Sequence, residues 1–329
     1  MATYKALRGV TIRTVAGDLS PVALGDIWYS STTRKIRIGK TTAASWATGG
    51  TLNTARMYFS GAHQGTQTAS LGFAGSAGPG AQDVTESYNG SAWTELNDLN
   101  TARKAVGGHG TQTAALCSGG YTTTTQNVSE EFDGTNWAEG NNLNTARGWM
   151  GGIGSQTAGL IAGGGPGGSA ASEEYDGTSW AEGNDLNVAK VEQPSLGTQT
   201  AGLTFGGNPS GTASQSVKTV ESYDGSSWTE INDLNNAHTI GVGIGIQTAG
   251  MVVGTNYPTP SASMALVEEF DGTNWYTSAA LSNGRYGSGG AGTTSLGLIF
   301  GGDLSGDSNV TEEFTGVTTA AEASDIAFD

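Results

Sequence analysis

The sequence predicts an all-β protein built from six copies of one four-stranded unit. Six tryptophans recur at intervals of 43 to 48 residues, a period typical of propellers and solenoids. Between them recurs a turn, a short apolar run and glycines, as in "GTQTAALCSGG" and "GTQTAGLTFGG". No useful length of chain has the 3.6-residue periodicity of a helix. These observations favour a β-propeller with one unit per blade. The six tryptophans are Trp46, Trp93, Trp137, Trp180, Trp228 and Trp275.

Each unit is predicted to contribute strands a to d. Strand a follows the "TAR" residues, and strand b is the apolar run that ends in glycine. Strand c carries an aromatic residue and strand d the tryptophan. The c–d turn is Asp-Gly or Asn-Gly, which is a strong hairpin signal. The strand c aromatics are Tyr88, Phe132, Tyr175, Tyr223, Phe270 and Phe314.

The ends of the repeat indicate how the ring closes. Phe314 has no tryptophan five residues later, and Trp46 has no aromatic-glycine pair before it. We therefore expect the segment around Trp46 to be strand d of the last unit. That pairing closes six blades into a ring and removes an open sheet edge. The predicted organisation is a basic N-terminal arm (1–40), a propeller (41–316) and an acidic C-terminal tail (317–329).

The repeated phrases resemble kelch repeats. The resemblance rests on the Gly-Gly that ends strand b, the aromatic and tryptophan across the c–d hairpin, and the arginine at the predicted start of strand a. It covers roughly residues 45–316, although the aromatic-to-tryptophan spacing is slightly shorter than is usual in kelch repeats. It implies the propeller fold but not an activity, because one fold hosts many functions.

Charge is distributed unevenly along the chain. The net charge is −16, yet residues 1–40 contain seven basic and two acidic residues. An acidic propeller should repel nucleic acid, whereas the basic arm is a candidate docking element for an acidic partner. The single Cys117 excludes a disulfide framework and a cysteine-rich metal site. We expect no signal peptide and no membrane-spanning segment.

The arm contains "GDIWYSSTTRKIRIGK" (residues 25–40), which predicts a hairpin with a polar turn. Apolar residues alternate with polar ones on both predicted strands. The phrase resembles segments of bacteriophage tail-fibre and other virion proteins, which implies attachment to a particle. The alternative is an ordinary hairpin that caps the propeller. The residues expected to make the attachment are Trp28, Tyr29, Arg34, Lys35 and Arg37.

Two enzyme families share features with the sequence. "SYDGSSW" resembles a sialidase Asp-box but lacks one residue between Asp224 and Gly225, and no cluster of three arginines accompanies it. A copper oxidase of the kelch fold needs histidine ligands, and His63, His109 and His238 fall on three different blades. We therefore expect no catalytic site, no cofactor and no metal.

Two charged positions recur in every unit. A glutamate lies two residues before each strand c aromatic, and a cation lies at the predicted start of strand a. Five of these six residues are reliably cationic, and we expect the six to ring one mouth of the central channel, where they could bind an anion. The alternative is that each cation pairs with an acid of a neighbouring blade. The cations are Arg56, Arg103, Arg147, Lys190, His238 and Arg285.

Recognition is expected on one face of the propeller. The a–b and c–d turns are nearly constant, whereas the b–c loops vary freely and should share the opposite face with the d–a loops. Variable loops on a constant scaffold are where binding usually occurs. The candidate contacts there are Tyr121, Asn208, Asn256 and Tyr257.

Taken together, the sequence predicts a non-enzymatic bacteriophage virion protein, a fibre or decoration of tail, neck or capsid. Its expected partners are other virion proteins and a host-surface glycan, and we expect a homo-oligomer within the virion. Two alternatives stay open. One is a kelch-type module for protein–protein interaction, and the other is a carbohydrate-active propeller enzyme.

Overall fold

The computed structural model describes residues 12–19, 21–23, 26–209, 216–256 and 263–324, with side chains given as far as residue 318. In these ranges the chain is all-β apart from one short 3-10 helix, Ser263–Ala265. It divides into two compact units, a terminal unit of residues 1–44 and 316–329 and a repeat unit of residues 45–315.

The terminal unit contains one four-stranded sheet. Its strands are β1 (Arg13–Val15), β2 (Ile27–Ser30), β3 (Lys35–Thr42) and β30 (Thr318–Ser324), in that spatial order. β2 and β3 form an antiparallel hairpin in which Tyr29 lies opposite Ile36. β30, from the segment that the sequence suggested was a tail, pairs with β3 along seven residues. A pairing between chain ends is non-local, so the sequence pattern did not indicate it.

The repeat unit consists, within the described residues, of six four-stranded antiparallel sheets. Each runs from an inner strand to an outer strand that carries the tryptophan, and they are called sheets 1 to 6. Sheet 6 takes its outer strand from the start of the unit, as the register of Phe314 opposite Trp46 shows. A two-stranded ribbon, β7 and β8, projects from sheet 1.

The strand bounds follow. Sheet 1 is β5 (Ser60–Gly61), β6 (Ser70–Phe73), β9 (Thr85–Tyr88) and β10 (Trp93–Glu95), with β7 (Ser76–Ala77) and β8 (Gly80–Ala81) between; sheet 2 is β11 (Gly107–Thr111), β12 (Ala114–Ser118), β13 (Ser129–Phe132) and β14 (Trp137–Glu139); sheet 3 is β15 (Gly151–Gly154), β16 (Gly159–Ala162), β17 (Ser172–Tyr175) and β18 (Trp180–Glu182). Sheet 4 is β19 (Ser195–Thr198), β20 (Ala201–Phe205), β21 (Val220–Tyr223) and β22 (Trp228–Ile231); sheet 5 is β23 (Val242–Ile246), β24 (Ala249–Val253), β25 (Val267–Phe270) and β26 (Trp275–Thr277); sheet 6 is β27 (Gly289–Gly292), β28 (Leu296–Phe300), β29 (Thr311–Thr315) and β4 (Ser45–Thr48).

The core lies between successive sheets. In every sheet the strand c aromatic packs on the tryptophan, with ring centroids 4.7 to 5.1 Å apart. Tyr223 and Trp228 of sheet 4, for example, form one buried cluster with Ile153 and Leu160 of sheet 3. The phrase that carries them is thus structural, as its repetition indicates.

The innermost strands lie close together because they are rich in glycine. A Cβ atom added to Gly152 on β15 would lie 2.7 Å from the backbone nitrogen of Gly108 on β11. Real Cβ contacts are longer, so a larger residue would push these strands apart. Inner strands of consecutive sheets are neighbours, and that of sheet 6 is a neighbour of that of sheet 1. This all-β arrangement is that of a β-propeller.

Candidate functional site

Each sheet holds one buried pair between a basic residue and a glutamate, and in sheet 5 the basic residue is a histidine. In sheet 2, Nη2 of Arg103 lies 3.1 Å from Oε1 of Glu130, and both side chains are fully buried. Arg103 comes from the connection that enters the sheet, and Glu130 is on β13. The other pairs are Arg56–Glu86 (3.0 Å), Arg147–Glu173 (2.7 Å), Lys190–Glu221 (3.3 Å), His238–Glu268 (3.4 Å) and the close pair Arg285–Glu312.

The same carboxylate also anchors the connection between two sheets. Oε2 of Glu130 accepts hydrogen bonds from the backbone nitrogen and the side-chain Nδ2 of Asn100, at 2.7 and 2.9 Å. Nδ2 of Asn100 also donates to the carbonyl of Trp137 on the outer strand. The sequence analysis missed this asparagine, although the recurring "LN" before the cation was a usable signal. The equivalent residues are Asn53, Asn144, Asn187, Asn235 and, in sheet 6, Ser282.

The structure therefore places the six cations inside the protein. Each side chain is at most 3% exposed, so none lines an open channel mouth. The expected anion-binding ring does not form, and each cation instead pairs with a carboxylate of the sheet that its own connection enters. The prediction misplaced them because strand a begins four or five residues after the cation, and not at it.

Two residues after each cation, the chain turns through a left-handed backbone conformation. The φ angles are 52° to 63°, a region that non-glycine residues adopt at a cost of roughly 1–3 kcal/mol. Five of the six residues are not glycine, and one of them is the β-branched Ile240. The six positions are Tyr58, Ala105, Trp149, Glu192, Ile240 and Gly287.

These six residues form a closed cycle of backbone hydrogen bonds, here called the mouth ring. The backbone nitrogen of each donates to the carbonyl of its equivalent in the preceding sheet, at 2.7 to 2.9 Å. The nitrogen of Tyr58 donates to the carbonyl of Gly287, which completes the cycle. Since the main chain makes these bonds, the side chains of the ring are not needed to hold it together.

The side chains of the mouth ring line a cavity of about 90 Å³. Tyr58, Trp149, Glu192 and Ile240 are half-buried. Glu192 is the one charged member of the ring. Burial raises the pKa of its carboxyl, and a hydrogen bond from the hydroxyl of Thr239 to Oε2, 3.2 Å long, acts against that rise. Sequence reasoning missed Glu192 because it belongs to no repeated motif.

The variable loops surround this mouth. The residue after each cation pairs with the start of a b–c loop, as in the bridges between Lys104 and Tyr121 and between Tyr286 and Asp303. The ring of Tyr121 packs on that of Trp149, with centroids 4.9 Å apart. We call this surface, made by the b–c loops and the d–a connections, the loop face.

The structure describes three of the four predicted loop contacts, and they differ in burial. Tyr121 and Asn256 are half-buried at the loop face and accessible to a ligand. Asn208 is fully buried and backbone-paired with Val191, so it is a structural residue and not a surface contact. Tyr257 lies outside the described residues.

The predicted attachment residues lie partly in the interior and partly at the surface of the terminal unit. Trp28 is fully buried and its indole N–H donates to the carbonyl of Gly17, so it cannot contact a partner. Arg34 is exposed in the hairpin turn, and Tyr29 and Lys35 are half-buried. Nε of Arg37 lies 3.1 Å from Oδ1 of Asp18.

Other reactive groups are held inside the fold. Cys117 is buried, and burial raises the pKa of its thiol to about 11. Burial lowers the pKa of His63 and His109 to about 4, so both imidazoles are neutral at pH 7. Within the described ranges, no three His, Cys, Asp or Glu side chains converge as metal ligands. Nor does any helix there have the length and hydropathy to span a membrane.

Comparison with known proteins adds information on the fold. No protein-family model matches the chain, and no curated protein matches its sequence. Among solved structures, 317 chains match in fold, and one of them is the structure of YjhT, with 12% sequence identity and a TM-score of 0.67. The match covers 83% of this chain and 99% of YjhT. At that identity the likeness shows the fold alone, and together with the strand-rich sheets it supports a β-propeller.

Proposed function

We propose that this protein is a non-catalytic binding protein of a bacteriophage virion. Its repeat unit is a six-bladed, kelch-like propeller whose loop face contacts a glycan on the host surface. Its terminal unit joins it to other virion proteins and assembles it into a homo-oligomer.

Three independent observations support the six-bladed ring. Each sheet has the same aromatic pair, the mouth ring has six members, and β4 completes sheet 6 by pairing with β29. The indole N–H of Trp93 in sheet 1 also donates to Thr311 in sheet 6, 3.0 Å away. The kelch-like assignment rests on the glycine, aromatic and tryptophan pattern of the sequence.

The pair of Tyr121 and Trp149 carries the glycan proposal. Both rings are partly exposed, and they lie where the variable loops meet the mouth ring. Aromatic rings of this kind offer apolar faces to the C–H groups of a sugar, while the Tyr hydroxyl and the indole N–H reach its hydroxyls. The recurring pairs between a basic residue and a glutamate are all internal, so they do not take part in recognition at the loop face.

The attachment proposal rests on the terminal unit. Seven of the fourteen basic residues lie in residues 1–40, and Arg34 is exposed in the hairpin turn. The exposed face of the hairpin also carries Ile27 and Ile38, which lie opposite each other and are 40% and 38% exposed. A basic and partly apolar surface of this kind fits an acidic partner protein.

A glycan array tests the binding proposal directly. Full-length protein should bind a defined set of glycans, and Trp149→Ala and Tyr121→Ala should each weaken that binding at least tenfold. Tyr276→Ala is the matched control, because Tyr276 is a 48% exposed tyrosine on the outer strand β26. Equal binding by all three variants would remove the loop face from consideration.

Light scattering tests the assembly proposal. The full-length protein should be larger than a monomer, and residues 45–315 alone, which form one compact unit, should be monomeric. Monomeric behaviour of both forms would favour the alternative of a soluble kelch-type interaction module.

A further inference from the structure

The carboxylate of Glu192 is not required by the fold. The other five members of the mouth ring are uncharged, yet all six make the same backbone hydrogen bonds. Glu192 also shares the left-handed backbone of its equivalents, with φ of 63°. The ring therefore fixes the position of its side chain. The fold does not depend on its carboxylate, because the five equivalent residues have none.

The surroundings of Glu192 leave its charge uncompensated. In the described part of the chain, its one hydrogen-bond partner is the hydroxyl of Thr239, and no cation pairs with it. Among the described residues, no lysine or arginine lines the cavity, and the imidazole of His63, which also lines it, is neutral at pH 7. A half-buried carboxylate in such a place favours a positively charged ligand.

Two aromatic rings of the mouth ring line the same cavity. They are Tyr58 and Trp149, in sheets 1 and 3, while Glu192 is in sheet 4. Burial raises the pKa of the Tyr58 hydroxyl, and the negative charge of Glu192 adds to that rise, so the two side chains lie within electrostatic reach. The electron-rich faces of such rings attract organic cations, and tryptophan does so most strongly.

The cavity has room for a small ligand group. Its volume of about 90 Å³ exceeds the roughly 10–15 Å³ that one water molecule needs on the same measure. A compact methylated ammonium group fits that space. Size, charge and aromatic lining therefore point to the same class of ligand.

We propose that the mouth ring binds an alkylammonium head group, with its nitrogen beside the carboxylate of Glu192 and its methyl groups against Tyr58 and Trp149. The site prefers a quaternary ammonium, because such a group loses little hydration and gains contact with both rings. Trp149 belongs to this site and to the proposed glycan site, whereas Glu192 belongs to this site alone and Tyr121 to the glycan site alone. Loss of choline binding in Glu192→Gln and loss of glycan binding in Tyr121→Ala therefore test the two proposals separately.

Calorimetric titration of the full-length protein with choline chloride tests this site, with sodium chloride at equal ionic strength as the blank. We expect a dissociation constant of roughly 1–10 mM. Glu192→Gln, which keeps the size of the side chain, should weaken binding at least tenfold, as should Trp149→Ala. Tyr276→Ala should bind choline as the wild type does.

A neutral analogue separates charge from shape. 3,3-Dimethylbutan-1-ol has the outline of choline without the charge, and it should bind at least tenfold more weakly. Ethanolamine, which has no methyl groups to contact the rings, should bind more weakly than choline, and equal binding would overturn the proposed contact with Tyr58 and Trp149. The proposal is overturned if choline shows no binding up to 100 mM, if Glu192→Gln binds it equally, or if the neutral analogue matches it. The analogue and the Trp149 variant keep the test decisive should Glu192→Gln fail to fold.

Discussion

Replacing Glu130 with glutamine should destabilise the protein severely. The change removes the negative charge beside Arg103, which is fully buried. The guanidinium then retains only neutral partners, the carbonyl of Val128 and the sulfur of Cys117. Breaking a buried ion pair in this way costs about 3–5 kcal/mol, because one charge stays buried without compensation.

The expected loss is a large part of the total stability. Folded proteins of ordinary stability unfold with a free energy of about 5–15 kcal/mol. At about 2–4 °C per kcal/mol, Tm should fall by roughly 6–20 °C. Urea unfolding gives the free energy directly, and an unchanged m value would show that the unfolded state is unaltered. Arg103→Lys is the internal comparison, since Lys190 fills the same place in sheet 4, and it should lose less than about 2 kcal/mol.

The double variant Arg103→Met with Glu130→Gln decides whether the stranded charge is the cause. It should be more stable than Glu130→Gln alone by about 2 kcal/mol, because no uncompensated cation remains. If the losses of the two single variants simply add, the two side chains are not coupled. In that case, or if Glu130→Gln loses less than about 1 kcal/mol, the reasoning is wrong.

Four further outcomes are expected. Cys117 should not react with a thiol reagent at pH 8 until the protein unfolds, because burial raises the pKa of the thiol to about 11; reaction in the native state would show that sheet 2 opens. Ala105→Gly should raise the free energy of unfolding by up to about 1 kcal/mol in urea titrations, since glycine adopts φ of 54° without strain; a loss of stability would mean that the methyl group matters more than the strain. The unfolded chain binds a proton at His109 below about pH 6.5, whereas the folded chain does so only below about pH 4, so stability should fall by up to about 3 kcal/mol as the pH drops through that interval. That part of the pH dependence should vanish in His109→Gln, and its persistence would assign it elsewhere. Tyr223→Phe should cost about 1–2 kcal/mol in the same urea assay, because the hydroxyl of Tyr223 donates to Glu174 of the preceding sheet, and an unchanged stability would show that water replaces it.

The repeat made much of this fold predictable from the sequence. Turn residues and apolar runs define the strands. Trp46 and Phe314 each lacked a partner in the repeat pattern, which predicted that they pair, and they lie opposite each other on β4 and β29. The hairpin of the arm was predicted from its alternating residues and its polar turn. These features are local, or they are counted from copy to copy, so one sequence suffices.

The site was less predictable for a physical reason. A left-handed turn is normally signalled by glycine or asparagine, and only Gly287 carries that signal among the six members of the mouth ring. Without knowledge of that turn, the cations were placed on strand a and at an open mouth, whereas they lie beneath it. Glu192 was missed for the same reason, because the turn determines which residues surround its side chain. The pairing of β30 with β3 joins the two ends of the chain, and no local pattern encodes it.

The mouth ring has an evolutionary consequence. Its bonds use only atoms that every amino acid except proline possesses, so a change of side chain at any of the six positions leaves the ring of bonds intact. Tyrosine, alanine, tryptophan, glutamate, isoleucine and glycine already occupy equivalent places. Selection can therefore change the side chains at the mouth of the repeat unit one at a time, while the ring of backbone hydrogen bonds stays the same.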